Sequence, residues 1–279
     1  MQAFSTAQRI ELTWRAAPSD LRPFVSAFVE RRDFVAFIGM RELPVPVPLI
    51  QIMLGADVHM TDGDAVETAP RAALWGPTST APRSRTDQPM HAFVAVLTLR
   101  GAAVLARKAG APLADRRTAL DAILDPLARS WLPRIAEAPD AAGRIAAAET
   151  WLRGLMTEPG HPADPATALI DAMLHHRVRG PVAAIARDCG ISERALYKRC
   201  DRLLGWSPKR LLRIARLQRL LRTLHPSPWL QSREEEDARL EYADDSHLAR
   251  DLLDLTGLTA SAYRMSKIAS GDQLVHTLI

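Results

Sequence analysis

The chain lacks most of the marks by which a sequence declares chemistry. It has only two cysteines in 279 residues, Cys189 and Cys200. That excludes a disulfide framework and suits a reducing compartment. No second pair exists to complete a zinc site, so both are expected to be small core residues. No apolar run approaches the roughly 18 residues of a membrane helix. The opening Met1-Gln2-Ala3-Phe4-Ser5 has neither a basic stretch nor an apolar core. No signal peptide is therefore expected, and the expected location is the cytoplasm. There is no glycine-rich phosphate loop and no nucleophile-elbow spacing. His59 and His91 form no His-x-His pair, and a metal-dependent barrel enzyme would need a tighter ligand cluster. His175-His176 is expected to be solvated near a helix end. No catalytic residue, metal or cofactor is expected, and the chain is not read as an enzyme.

What remains is ordinary in bulk and unusual in pattern. Hydrophobic residues make up 47% and charged residues 24%, as in soluble globular proteins. The length allows two domains. The formal charge of +4 leans basic, and where that charge sits decides its meaning.

Residues up to about 100 read as β-rich. Ile10–Trp14, Phe34–Ile38, Ile50–Leu54 and Phe93–Leu99 predict strands, separated by breaks rich in proline and glycine. Short strands with regular turn signals predict a small barrel or sandwich. Ser19–Val25 predicts a short helix on its edge. From Gly101 the period becomes helical near 101–109, 116–137 and 140–157, with Ile145, Ala148, Trp151, Leu152 and Leu155 on one face. Glu158-Pro159-Gly160-His161-Pro162 reads as a linker, since two prolines and a glycine cannot continue a helix.

Beyond the linker, one kind of element is written twice. Pro181 suits the first turn of a helix, and Val182, Ile185 and Ala186 form its apolar stripe. Gly190 suits a left-handed turn, Ile191 plugs the space between helices, and Ser192 can cap the next helix. That helix buries Leu196, Cys200 and Leu203, and shows Arg194, Tyr197, Lys198 and Arg202. This is the design of a recognition helix, with base edges facing its N-terminal residues and phosphates held by flanking cations. A plain helical hairpin with a solvated basic face fits the same pattern. Gly205-Trp206-Ser207-Pro208-Lys209 then ends one helix and starts another, which runs to about Leu224. At about 17 residues that helix spans roughly 25 Å, so it can hold two reading units on one face of a duplex.

Together with Arg216-Leu217-Gln218, Tyr242-Ala243-Asp244, Ser246 to Asp251, Leu255-Thr256-Gly257-Leu258-Thr259 and Ala262-Tyr263-Arg264, these residues carry a family likeness. Residues 180–224 and 242–264 resemble the paired helix-turn-helix domain of AraC/XylS-type transcription regulators. Residues 1–160 resemble, through Pro23-Phe24-Val25 and Leu74-Trp75-Gly76-Pro77, the β-rich sensing domain that precedes it in many such regulators. The resemblance implies base-reading positions at Arg194, Tyr197 and Lys198, and in the second unit at Asp245, Ser246, Ala249 and Arg250.

The second unit departs from the pattern. Where its first helix should pack small and apolar residues, the chain has Arg233, Glu236, Asp237 and Glu241, and only Leu240 stays apolar. Burying Glu236 and Asp237 without partners would cost several kcal/mol. Glu241 in a left-handed turn would cost about 1 kcal/mol more than glycine. That helix is expected to be loose, shifted or splayed. Charge agrees: eleven basic residues face three acidic ones over 180–225, whereas 232–264 carries four basic and nine acidic. Phosphates repel such a segment, with Asp245 and Asp254 nearest the second reading helix. The segment therefore reads little DNA, forms a protein-contact surface, or masks the basic unit.

The expected fold class is α+β. A β-rich, barrel-like sensing and dimerising domain with a helical connector spans 1–160. An all-α domain with two helix-turn-helix units spans 165–265, and a tail spans 266–279. The expected function is sequence-specific regulation of transcription, read mainly through helix 193–203. Candidate DNA-binding residues are Arg194, Tyr197, Lys198, Arg202, Ser246 and Arg250. Candidate effector-pocket residues are Trp14, Met53, Trp75 and Phe93. Expected partners are double-stranded DNA, RNA polymerase, a small-molecule effector and a second copy of the chain, with no membrane. The rival reading is a β-barrel binder or enzyme whose helical tail has lost DNA binding.

Overall fold

A computed structural model describes residues 2–6, 10–37, 39–62, 65–110, 112–156, 165–175, 177–223, 242, 244–263 and 274–275. The strands are β1 (Gln2–Thr6), β2 (Ile10–Ala16), β3 (Val25–Asp33), β4 (Met40–Glu42), β5 (Leu49–Met53), β6 (His59–Asp62), β7 (Ala65–Thr68), β8 (Ala72–Trp75), β9 (Arg83–Arg85) and β10 (His91–Leu97). Helix α1 (Leu99–Ala109) follows, then β11 (Arg117–Ala119), α2 (Leu120–Ile123), α3 (Pro126–Arg129), α4 (Trp131–Ala136) and α5 (Ala141–Met156). The helical part continues with α6 (Pro165–Leu174), α7 (Val182–Asp188), α8 (Glu193–Leu204), α9 (Pro208–Thr223) and α10 (Asp245–Thr256), and β12 (Leu274–Val275) comes last. The chain is thus α+β, with antiparallel sheets first and helices after.

The strands do not close into the expected barrel. They build a seven-stranded sheet ordered β1-β2-β3-β10-β5-β8-β11 and a second sheet ordered β12-β4-β9-β6-β7. Closure is unnecessary because the larger sheet is covered on both faces. Alternation along β5, β8 and β10 divides its side chains. Ile50, Ile52, Leu74, Phe93 and Ala95 face a cluster shared with α1, α2 and α5. Leu49, Met53, Ala73, Trp75 and Ala92 face Val58, Met60, Ala69 and Met90 from around the second sheet.

Three local expectations fail for identifiable reasons. Ser19–Val25 is not a helix: Leu21 and Arg22 donate to the Pro18 carbonyl, but Pro23 has no N–H to extend the turn, and β3 begins at Val25. Phe34–Val35 is a bend beyond β3, with Phe34 58% exposed, and Ile38 lies outside the described residues. The continuous helix expected over 116–137 is broken into β11 and three short helices, with Asp125-Pro126 starting one and Pro133 falling inside another. The linker Glu158–Pro162 and the tail 266–279, apart from β12, lie outside the described residues.

Helix α5 is fastened to the sheet by buried charge. Arg144 donates to Glu30 through Nε and a terminal nitrogen, both at 2.8 Å. His91 Nε2 lies 2.7 Å from the same carboxylate. Burial pushes the Glu30 carboxyl up, but the Arg144 and His91 hydrogen bonds outweigh it and hold it below the ordinary range. Removing one partner of such a buried pair costs about 3–5 kcal/mol.

Candidate nucleic-acid interface

Helices α7 and α8 meet across a tight turn. Val182, Ile185 and Ala186 are buried, as expected, while Pro181 is the N-cap rather than the first helical residue. Gly190 has φ +69°, and Ile191 donates to the Ala186 carbonyl at 3.0 Å, so the turn needs a residue free to be left-handed. Ser192 Oγ accepts from the Ala195 N–H at 3.1 Å and caps α8. Leu196, Cys200 and Leu204 are the fully buried side of α8, and Leu203 is only half-buried. Arg194, Lys198 and Arg202 recur every four residues and are exposed, so they share one face. Tyr197 is half-buried and packs against the core, which leaves part of it accessible.

Cys200 is the small core residue expected, whereas Cys189 is not. Cys200 is buried, and burial pushes its thiol up to about 12. Cys189 is exposed beside the turn. His175 is not a freely solvated residue either: its Nδ1 lies 2.8 Å from the Asp171 carbonyl. Its neighbour His176 lies outside the described residues.

Helix α9 ties this pair to α10. Ser207 Oγ accepts from the Arg210 N–H at 3.2 Å, and Pro208 is the first helical residue. Leu211, Ile214, Ala215, Leu217, Gln218 and Leu221 are buried, as the sequence pattern implies. Two of its arginines are committed to structure. Arg213 Nε donates to Asp251 Oδ1 at 2.7 Å and its terminal nitrogen pairs with Asp254 Oδ2 at 2.6 Å. Arg216 donates to Asp251 Oδ2 at 2.6 Å and lies 4.5 Å over the Tyr242 ring. Asp251 and Asp254 therefore answer α9 rather than standing as bare charge on α10, which corrects the simple charge sum for this segment.

At the start of α10, Asp244 accepts from the His247 N–H at 2.6 Å and caps the helix. Asp245, Ser246, Ala249 and Arg250 are exposed, and Arg250 Nε donates to the Ser246 carbonyl at 3.1 Å. The helix expected before it, with Arg233, Glu236, Asp237, Leu240 and Glu241, lies outside the described residues.

The four candidate pocket residues are not gathered. Met53 and Trp75 share the face toward the second sheet. Phe93 points to the opposite, helix-covered face, 6.1 Å from Phe28 between ring centres. Trp14 is half-buried on β2, with β3 and β10 between it and β5. One residue near Met53 and Trp75 carries no sequence signal of its own: Arg117 lies 4.6 Å over the Trp75 ring. Arg117 Nε and Trp75 Nε1 are buried with no hydrogen-bond partner among the described residues. On β4, burial pushes the Glu42 carboxyl up, while Arg117, a Ser84 hydrogen bond and Arg31 pull it back.

The β-rich part also touches the helical part through polar contacts that no sequence motif announced. Leu113 and Ala114 donate backbone N–H groups to the Leu203 and Leu204 carbonyls at 3.1 and 2.9 Å. Asp115 accepts from Ser79 and, at 2.9 Å, from Trp206 Nε1. Arg41 donates to the Thr256 carbonyl at 2.9 Å, Arg210 to Ser79 Oγ, and Gln218 to the Pro44 carbonyl.

No protein-family model matches the chain, and no curated protein matches it. Among solved structures it is similar to ToxT from Vibrio cholerae, at 9% identity and a TM-score of 0.46, over 92% of this chain and 97% of that one. A ToxT structure with unsaturated fatty acid bound gives 11% identity and a TM-score of 0.44, over 96% and 98%. The AraC-like transcriptional activator CuxR gives 13% and 0.33, over 69% and 74%. Hydroxyethylphosphonate dioxygenase gives 13% and 0.26, over 70% and 49%. Among the described residues, no helix is long and apolar enough to cross a membrane.

Proposed function

We propose that the chain is a sequence-specific DNA-binding regulator of transcription that reads duplex DNA mainly through α8. The observation that carries this reading is the exposed row of Arg194, Lys198 and Arg202 on a short helix with a Ser192 cap and a fully apolar seat. Such a helix can enter a major groove N-terminus first, with Arg194, Tyr197 and Lys198 toward base edges and Arg202 toward phosphate. On α10, Ser246 and Arg250 are the exposed candidates for a weaker second contact, beside Asp245. The docking of α10 on α9 through Asp251 favours a second unit that is held in place while reading little.

Residues 1–160 would then sense an effector and 165–265 would bind DNA, with RNA polymerase and a second copy of the chain as further partners. For the effector we favour the space between the sheets near Met53 and Trp75 over the wider set that included Trp14 and Phe93. The unpartnered donors of Trp75 and Arg117 among methionines suit an apolar molecule carrying an oxygen acceptor. The test is selection from a random duplex pool, then titration of the selected duplex with salt. The reading expects enrichment of one sequence and an affinity that falls as salt rises. No enrichment and no salt-dependent binding would leave the chain as a small-molecule binder with a helical tail.

A further inference from the structure

Helix α8 ends against the β-rich part rather than in solvent. A helix leaves its last four carbonyls without intrahelical partners. For α8, the Leu203 and Leu204 carbonyls accept the N–H groups of Leu113 and Ala114 at 3.1 and 2.9 Å, and the Gly205 N–H meets the Asp201 carbonyl at 2.8 Å. Beyond Gly205, the Trp206 ring is buried and its indole N–H donates to Asp115 Oδ2 at 2.9 Å.

The loop that makes these contacts is itself seated on the sheet. Asp115 donates its N–H to the Pro77 carbonyl at 2.8 Å, and Gly76 donates to the Arg116 carbonyl at 2.9 Å. A Cβ at Gly76 would lie 1.7 Å from the Leu113 carbonyl oxygen, so glycine is what lets the loop lie this close to the end of β8. The Asp115 carboxylate faces both parts of the chain. Its Oδ1 accepts the Ser79 N–H at 2.6 Å, and its Oδ2 accepts Ser79 Oγ at 2.8 Å as well as Trp206. Arg210, in the first turn of α9, donates to Ser79 Oγ and lies 3.9 Å from Asp115 Oδ2. Asp115 has φ +56°, alone in that region among described non-glycine residues. Such a backbone persists where its surroundings hold it.

We propose that the 112–115 loop is a latch by which the β-rich part positions the last turn of α8, with Asp115 as its positioning residue and the Trp206 indole N–H as its catch. Two loop amides close the helix end, and one carboxylate holds the turn that follows. The latch grips the C-terminal end of α8, whereas Arg194 and Lys198 lie toward the other end, so it leaves their exposed face open. It steadies the turn that carries Arg202, next to Leu203. The consequence for DNA rests on the reading of α8 as a DNA reader. The latch itself does not, so the two can fail separately.

The test is amide hydrogen exchange on the full chain, without DNA. Asparagine tolerates the Asp115 backbone, but its single acceptor oxygen cannot serve the Ser79 N–H and Trp206 together. Trp206→Phe keeps an aromatic ring and removes the donor. In each variant the Leu113 and Ala114 amides should exchange about tenfold faster, while the Gly76 amide and 145–155 in α5 keep the parental rates. The double variant should be no looser than the looser of the two, because both break one bond. Parental rates at Leu113 and Ala114 in both variants, or loosening that adds in the double variant, would overturn the proposal. If Asp115→Asn also loosens 145–155, Trp206→Phe decides: faster exchange at Leu113 and Ala114 alone upholds the latch, and unchanged exchange refutes it. On a selected duplex both variants should bind about threefold more weakly, since a loosened last turn releases Arg202. Looser amides with unchanged affinity would refute the role for Arg202. Failure to select any duplex would refute the reading of α8, while the exchange rates still decide the latch.

Discussion

At Asp251 a single carboxylate takes two arginines out of the set of cations that could meet phosphate. Its charge counts as repulsive in a sum along the sequence, yet it holds Arg213 and Arg216 of α9. Sign is legible in a sequence, but partner is not, because the two elements are 35 or more residues apart. Asp251→Ala should destabilise the chain by about 1–3 kcal/mol in urea unfolding; the low end reflects arginines that are themselves partly exposed and recover water. An unchanged midpoint would mean that the ion pairs contribute nothing. His175 offers a pH test. Burial alone would lower its pKa, but its bonds to Asp171 outweigh this and raise it above 6.5. The stabilisation is complete below that value and is lost as pH rises through the higher folded one. Asp171 works in the other direction. Burial pushes it up, but His175, the Leu99 N–H and Arg177 hold it low, so its contribution disappears as pH falls through the folded value. A Tm series across about pH 6 to 9 should show an alkaline decline that His175→Gln abolishes. An identical decline in the variant would assign it to another group.

Among the elements, legibility followed the strength of the local signal. β10 and β5 were readable because apolar residues fill them. β3 was not, because Glu30, Arg31, Arg32 and Asp33 mask its end, and those charges are used by pairing with Arg144 and with one another. The α7–α8 turn was readable because Gly190 and Ser192 do local jobs that few other residues can do. Ser192→Ala should cost about 1 kcal/mol of stability in denaturant titration, through the lost cap on α8. Gly76 reads in the sequence only as a break, whereas its lack of a Cβ admits the Leu113 backbone. Gly76→Ala should cost about 1–3 kcal/mol by overpacking, seen as a lower Tm. No change would mean that the 112–115 loop is not held where described.

For the whole molecule, the α+β order and the exposed basic face of α8 could be anticipated, since composition and period change sharply near residue 101. The two-sheet arrangement could not, because closure depends on which strands find each other and on what covers their faces. Nor could the attachment of α8 and α10 to the β-rich part, which depends on helix-end carbonyls that carry no sequence signature. The central claim is that α8 is the principal DNA reader. Its most direct test is the salt dependence of binding to a selected duplex, for the parent chain and for Arg194→Ala, Lys198→Ala and Arg202→Ala. A slope of about −0.9 per phosphate contact is expected for the parent, with Arg202→Ala reducing it by about one contact. Arg194→Ala and Lys198→Ala should lose about 1–3 kcal/mol of specific binding. Binding that is insensitive to salt, or unchanged in all three variants, would contradict the account.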